Sequence, residues 1–237
     1  MTLAGPGRPR ARQATRPGAT AREEILDAAA ELFTTQGYAT TSTRAIADAV
    51  GIRQSSLYHH FATKDDILED LLSRTVAAGL SFARAVGESP ERGQGAVSPA
   101  ARLHAVALFD GSHLCSGRWN VGILYHLPEV RSERFSRFLA DREELQQLYR
   151  VFGSAAVRSP ISSGGLQHHG ELAFRLVESL ISLRIDGQIH PGSPLEVADA
   201  AVVLCGRADD LATIREEGRA LIGSLGHQLP TPAGERY

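Results

Sequence analysis

Apolar residues recur at helical spacing along nearly the whole chain. After Thr20, the residues Ile25, Leu26, Ala29, Leu32 and Phe33 fall on one face. Thr20 and Glu23 stand in the capping-box relation at its start, and Gly37 supplies a left-handed stop at its end. Thr41, Ser42 and Thr43 offer hydroxyls for a second start, and Ala45, Ile46, Ala49 and Val50 form a short apolar face that ends at Gly51. A third short helix is expected within 52–61, with Leu57 and Phe61 pointing inward. Two short helices joined through a glycine turn are the sequence form of a helix-turn-helix. Thr63 and Asp66 repeat the capping pattern before a longer helix to about position 86, on which Ile67, Leu68, Leu71, Leu72 and Val76 share a face.

Positions 87–98 read as a loop that ends where Ser98 and Pro99 open another helix. Helical patterns then cover 104–114, 121–127, 131–158, 170–185 and 195–222, with no strand alternation between them. The expected fold is all-α, with an N-terminal three-helix helix-turn-helix domain and a larger helical domain. The expected divisions are a flexible basic tail at 1–19, the helix-turn-helix at 20–66, the larger domain at 67–228 and a C-terminal tail at 229–237.

Composition changes this picture in two places. The net charge of -2 leaves no global field for nucleic acid or an acidic membrane, so any such contact must be local. Locally, Arg8, Arg10, Arg12, Arg16 and Arg22 stand in the first stretch of chain with no acidic residue before Glu23. Gly7-Arg8-Pro9-Arg10 has the form of an AT-hook core, whose arginines can enter a narrow A/T minor groove. Lys64 is the only lysine. Cys115 and Cys205 fit no metal spacing and read as buried thiols suited to a reducing cytoplasm. The chain has no apolar run long enough to span a bilayer and no secretory h-region, so a cytoplasmic, membrane-free protein is expected.

The candidate chemistry is recognition. The second helix of a helix-turn-helix enters the major groove, where base edges carry a readable donor and acceptor pattern. Gln54, Ser55, Ser56, Tyr58, His59 and His60 are left facing outward, and Gln can bond adenine bidentately. His59 and His60 are neighbours about 100° apart on a helix and cannot chelate together. No phosphate-binding glycine loop, nucleophile elbow or paired ligand motif occurs, and Gly164-Gly165 is isolated. No enzyme activity, cofactor or metal is expected.

Gly37-Tyr38, Thr41-Ser42-Thr43-Arg44-Ala45-Ile46-Ala47, Gly51-Ile52, Leu57-Tyr58-His59-His60-Phe61 and Lys64 together resemble the TetR family, over roughly 20–76. The resemblance implies that the hydroxyls of Thr41, Ser42 and Thr43 meet phosphates and that Arg44 faces a base edge or phosphate. It also implies that Tyr58, His60 and Lys64 anchor the backbone. Lys64 beside a helix start adds its charge to the helix dipole. Two positions depart from the family pattern: Arg53 stands where the family usually has Ser and cannot cap as Ser does, and Ser55 stands where it often has Gly or a small residue. Both become candidates for DNA contact.

A single recognition helix covers half a site, so a dimer with recognition helices about 34–36 Å apart is expected on double-stranded operator DNA. The last two long helices are the expected homodimer surface, one carrying Leu172, Phe174, Leu176, Val177, Leu180, Ile181 and Leu183. The other carries Val197, Ala201, Val202, Leu204, Cys205 and Leu211. The resemblance implies an effector pocket among the middle helices, for which His104, Trp119, Tyr125 and Phe152 are the candidates. Arg118, Arg131, Arg134, Arg137 and Arg142 suit an anionic, lipid-like or acyl-coenzyme A effector, although interleaved acids make a salt-bridged face the simpler reading. The expected function is repression of transcription relieved by a small, mainly apolar effector. The alternative is an architectural DNA-binding protein without effector control.

Overall fold

A computed structural model of the chain describes residues 16–90, 96–158 and 168–230. The AT-hook-like segment with Arg8, Arg10 and Arg12, the Gly164-Gly165 pair and positions 231–237 lie outside the described residues. Within those described, every regular element is helical: α1 (Ala21–Thr35), α2 (Thr43–Val50), α3 (Gln54–Tyr58), α4 (Lys64–Glu88), α5 (Pro99–Ser116), α6 (Ser136–Ala156), α7 (His169–Ile185), α8 (Ser193–Leu204) and α9 (Leu211–Ser224). No helix among them is long and apolar enough to cross a membrane. The chain divides into two compact units between Ile67 and Leu68, inside α4.

In the N-terminal unit the local sequence does most of the work. Thr20 Oγ1 accepts from the Glu23 amide at 3.3 Å and the Glu23 carboxylate accepts from the Thr20 amide at 3.1 Å, closing the capping box of α1. Ser42 caps α2 by accepting from the Ala45 amide, and Gly51 ends it in the left-handed conformation at φ 74°. Arg53 occupies the N-cap position of α3 without a side-chain bond, as its chemistry requires. Ile25, Phe33, Tyr38, Ile46, Leu57 and Phe61 are buried together, with Phe33 and Tyr38 edge to face at 4.9 Å. Arg16 and Arg22, read from sequence as part of a basic arm, are tied down. Arg16 bridges Asp27 and Glu31 and donates to the Ala49 carbonyl, while Arg22 lies over the Phe61 ring and donates to the His60 carbonyl. Carboxylates on α1 and a carbonyl on α2 recruit Arg16 into the fold, and a ring and a carbonyl just after α3 recruit Arg22.

The C-terminal unit is organised around α5, which Ser98 and Pro99 start as expected and whose residues 100–112 are all buried. It packs against α6, α7, α8 and α9. Phe109 on α5 stacks on Phe82 of α4 at 4.2 Å. Helices α6 and α7 approach so closely that a Cβ on Gly170 would stand 2.1 Å from the Tyr149 carbonyl oxygen, and one on Gly153 would stand 2.4 Å from Gly170. Only glycine permits that crossing.

Three expected segments differ from the structure. Residues Val121–His126 form a 3-10 turn, and two further 3-10 turns, Pro128–Arg131 and Glu133–Phe135, precede α6. The expected helix at 131–158 therefore begins only at Ser136, because Ser132 takes extended backbone. The segment 195–222 is likewise two helices, α8 and α9, separated by a turn at Cys205 and Gly206 and a short 3-10 piece. His169 is buried at the start of α7, and both cysteines are buried thiols.

Candidate nucleic-acid interface

The outward face of α2 and α3 gathers several of the sequence candidates. Gln54 Nε2 donates to Thr43 Oγ1 at 2.9 Å, and the Tyr58 hydroxyl lies 3.0 Å from the same oxygen and 3.4 Å from Gln54 Nε2. Three polar side chains from two helices thus hold one another in place, with Tyr58 47% exposed. Leu57 and Phe61 hold α3 from beneath. Arg44, Arg53, Gln54, Ser55, His59 and His60 are exposed, and Ser56 is partly so. Among the described residues Arg44 has only Asp48 within reach, at 4.0 Å, so its guanidinium is available. The helix itself is shorter than 52–61: it ends at Tyr58, and His59 and His60 lie in the turn that follows.

Two candidates are placed differently from expectation. Thr41 is buried, and its hydroxyl donates to the carbonyls of Gly37 at 2.8 Å and Leu32 at 3.3 Å, so it closes the turn before α2 and cannot reach a phosphate. Lys64 Nζ donates to the carbonyls of Tyr38 at 2.8 Å and Thr41 at 3.0 Å, and sits 4.1 Å from the Tyr38 ring centre. The ammonium is first a clamp between the start of α4 and the turn before α2. Tyr38 completes the clamp by donating its hydroxyl to Asp65. Ser42, exposed, keeps a hydroxyl hydrogen to donate while its oxygen caps α2.

The four effector candidates are not brought together. His104 is fully enclosed, with Nε2 3.1 Å from Asp199 Oδ1, and Asp199 in turn accepts two bonds from Arg215. Among the described residues His104 Nδ1 has no hydrogen-bond partner. Burial lowers the His104 pKa, against the pull of Asp199. Burial works to raise that of Asp199, but hydrogen bonds from Arg215 and His104 outweigh it and hold the pKa down. This is a core network, not a pocket wall. Trp119 lines a cavity of about 230 Å³ with Thr75 and His113. Tyr125 is adjacent, donating to Thr75 Oγ1 at 2.6 Å. Phe152 lines a separate cavity of about 520 Å³.

Sequence reasoning missed three residues in this unit. Asp110 is buried and accepts from Tyr149 at 3.0 Å; burial drives its pKa from the usual 3.8 to about 7. Arg102 is buried beside the Phe152 cavity, and Arg84 lines the same cavity while paired with Glu144. A signal for Arg102 and Asp110 was available: both interrupt an otherwise apolar helix and must therefore be buried with partners. Arg134 and Arg142 are paired, but with Glu69 of α4 and Glu178 of α7 and not with the acids interleaved among them in sequence, while Arg150 pairs with Glu143 on its own helix.

A helix-turn-helix unit with its capped helices and outward polar face, continued by a larger all-helical unit, defines the class of protein. Residues 25–71 match the model for bacterial regulatory proteins of the tetR family. The crystal structure of Mycobacterium smegmatis AmtR is 47% identical, covers 92% of this chain and 100% of its own, and superposes with a TM-score of 0.80. The chain belongs to the TetR family. The HTH-type transcriptional repressor KstR2 of Rhodococcus jostii (strain RHA1) is 49% identical over 51 residues, which are 22% of this chain and 25% of that protein. The alignment thus spans only about a quarter of the curated relative. The structure of the ketosteroid transcriptional regulator KstR2 of Mycobacterium tuberculosis shares the fold, at a TM-score of 0.61 with 20% identity over 82% of this chain and 97% of its own.

Proposed function

We propose that this chain is a sequence-specific DNA-binding regulator of transcription that acts as a homodimeric repressor and is released by a small, mainly apolar effector. The observation that carries the reading is the mutually bonded group of half-buried Thr43 with exposed Gln54 and Tyr58 on the α2 and α3 face, seated on buried Leu57 and Phe61. Such a face offers a fixed donor and acceptor pattern to base edges, with Ser42 and Arg44 beside it for phosphates. Ser55, Ser56, Arg53 and His59 complete the reading surface, while His60 flanks it.

Pairing through α7 and α8 is supported by apolar side chains left in solvent there: Ile185 is 64% exposed, Val203 43%, and Leu204 is also exposed. Release by an effector is supported by two cavities in the C-terminal unit and by α4, whose first turn belongs to one unit and whose remainder belongs to the other. A ligand shifts such an equilibrium only by its differential affinity for the two states, typically about 1–3 kcal/mol.

The test is selection of bound duplexes from a random library, followed by anisotropy titrations on the winning sequence. Recovery of one palindromic sequence that binds at least about a thousandfold tighter than scrambled duplex is the expected result. Equal affinity for every duplex, with a steep salt response and no ligand effect, indicates an architectural DNA-binding protein instead.

A further inference from the structure

We propose that the cavity formed by the end of α4, the start of α5 and the last turns of α6 binds an amphipathic monocarboxylate, with its head on Arg102 and Arg84 and its apolar body against Phe152. The proposal rests on the reading of the C-terminal unit as effector-binding only for its link to DNA release. The cavity holds about 520 Å³, within the usual range for small-ligand sites.

The charge distribution selects the ligand. Arg102 is 6% exposed. Its Nε donates to the Val97 carbonyl, Nη1 to Val86, and Nη2 to Ser89 and Pro90. Four of its five N–H groups are thus occupied by neutral carbonyls, and one hydrogen on Nη1 remains. Among the described residues no carboxylate lies within ion-pair distance of it. Carbonyl dipoles solvate the cation without neutralising it, and a buried cation favours an anion that can enter beside it. Arg84 also lines the cavity, held bidentately by Glu144 at 2.7 and 2.6 Å. A ligand carboxylate can take the place of Glu144 on that fork with the same two-bond geometry.

The remaining wall is apolar, from Val97, Leu148, Val151 and Phe152. Val151, 53% exposed, contributes the part of this wall that is open to solvent. Exposed Glu88 is the lining residue that opposes an anion. It penalises a second negative charge, so the site favours a carboxylate over a phosphate ester or a dicarboxylate.

Calorimetry on the full chain tests this with decanoate below its micelle concentration, against 1-decanol and decanoyl-coenzyme A. One decanoate per chain is expected, bound roughly tenfold or more tighter than the alcohol, because the charged head is what Arg102 recognises. Gly87→Leu should abolish binding. Gly87 is helical and a Cβ there meets only Phe152, at 4.0 Å, so the leucine fills the cavity without forcing backbone apart. Its thermal midpoint should be unchanged or higher. Arg102→Met should also lose decanoate, although it removes a clamp on the end of α4 as well. No binding, equal binding of decanol and decanoate, preference for the coenzyme A ester, or undiminished binding by a folded Gly87→Leu protein each overturns the proposal. Decanoate binding that Gly87→Leu removes, with no change in affinity for the selected duplex, sustains this site and overturns the effector reading.

Discussion

The two units keep their polar chemistry in opposite places. In the N-terminal unit the polar side chains that matter lie on the surface, bonded to neighbours 4 to 15 positions away, as Thr43, Gln54 and Tyr58 are. Of the buried polar and charged side chains described, only Glu24 and Thr41 belong to it. The C-terminal unit buries Arg102, His104, Asp110, Gln146 and Asp199, and joins His104 to Asp199 and Asp110 to Tyr149 across 95 and 39 positions of sequence. A surface face is ready to meet an external polymer. A buried network instead fixes how helices pack, and makes that packing sensitive to charge.

If this contrast is right, disruption should cost most where helices of the C-terminal unit touch backbone to backbone. Gly170→Ala places a methyl carbon inside the Tyr149 carbonyl contact and should destabilise by more than about 4 kcal/mol in chemical denaturation. A loss below about 1 kcal/mol would mean that the α6 and α7 crossing tolerates separation and that the unit is less rigid than its packing implies.

Asp110 tests the charge sensitivity. With a folded pKa of about 7, raised by burial, its contribution to stability is fully present below 3.8 and is lost as pH rises through about 7. Asp110→Asn, which keeps an acceptor for Tyr149, should therefore gain on the order of 1–3 kcal/mol over wild type at pH 8 and show no such gain at pH 4. His104 runs the other way. Its lowered folded pKa means that its contribution is present above 6.5 and is lost as pH falls through the folded value. Thermal midpoints of the wild type and Asp110→Asn across this range separate the two groups.

Smaller effects are expected in the N-terminal unit, and there stability and DNA affinity should part. Lys64→Met removes two charge-assisted bonds to carbonyls and should cost about 2 kcal/mol of stability, with weaker DNA binding following from the loosened turn. Arg44→Ala should change stability by less than about 0.5 kcal/mol. It should nonetheless weaken binding to the selected duplex and lower the salt slope by about one unit. Unchanged affinity in Arg44→Ala would remove that side chain from the interface.

The same contrast explains what could be read from sequence. Caps, glycine stops and apolar spacing are local signals, so α1, α2, α4 and α5 were legible nearly to their ends, and Arg53 was legible as a residue that cannot cap. The fates of Thr41 and Lys64 were not, because both are decided by carbonyls of a turn whose geometry no spacing reveals. The interior of the C-terminal unit was less legible still. His104 finds Asp199 at a distance of 95 positions, and Phe152 faces a cavity floored by residues from two other helices. The break at Cys205 and Gly206 escaped because apolar periodicity continues on either side of it.

The clamp at Lys64 has a use in the laboratory. As the chain's only lysine, it makes any amine-reactive reagent a single-site side-chain label, apart from the α-amino group. Its Nζ is held by two carbonyls and an aromatic face, so acylation must wait for the turn before α2 to open. The rate of labelling at that one position is then a clock for local opening of the N-terminal unit, to be read with and without duplex by mass spectrometry of a single peptide.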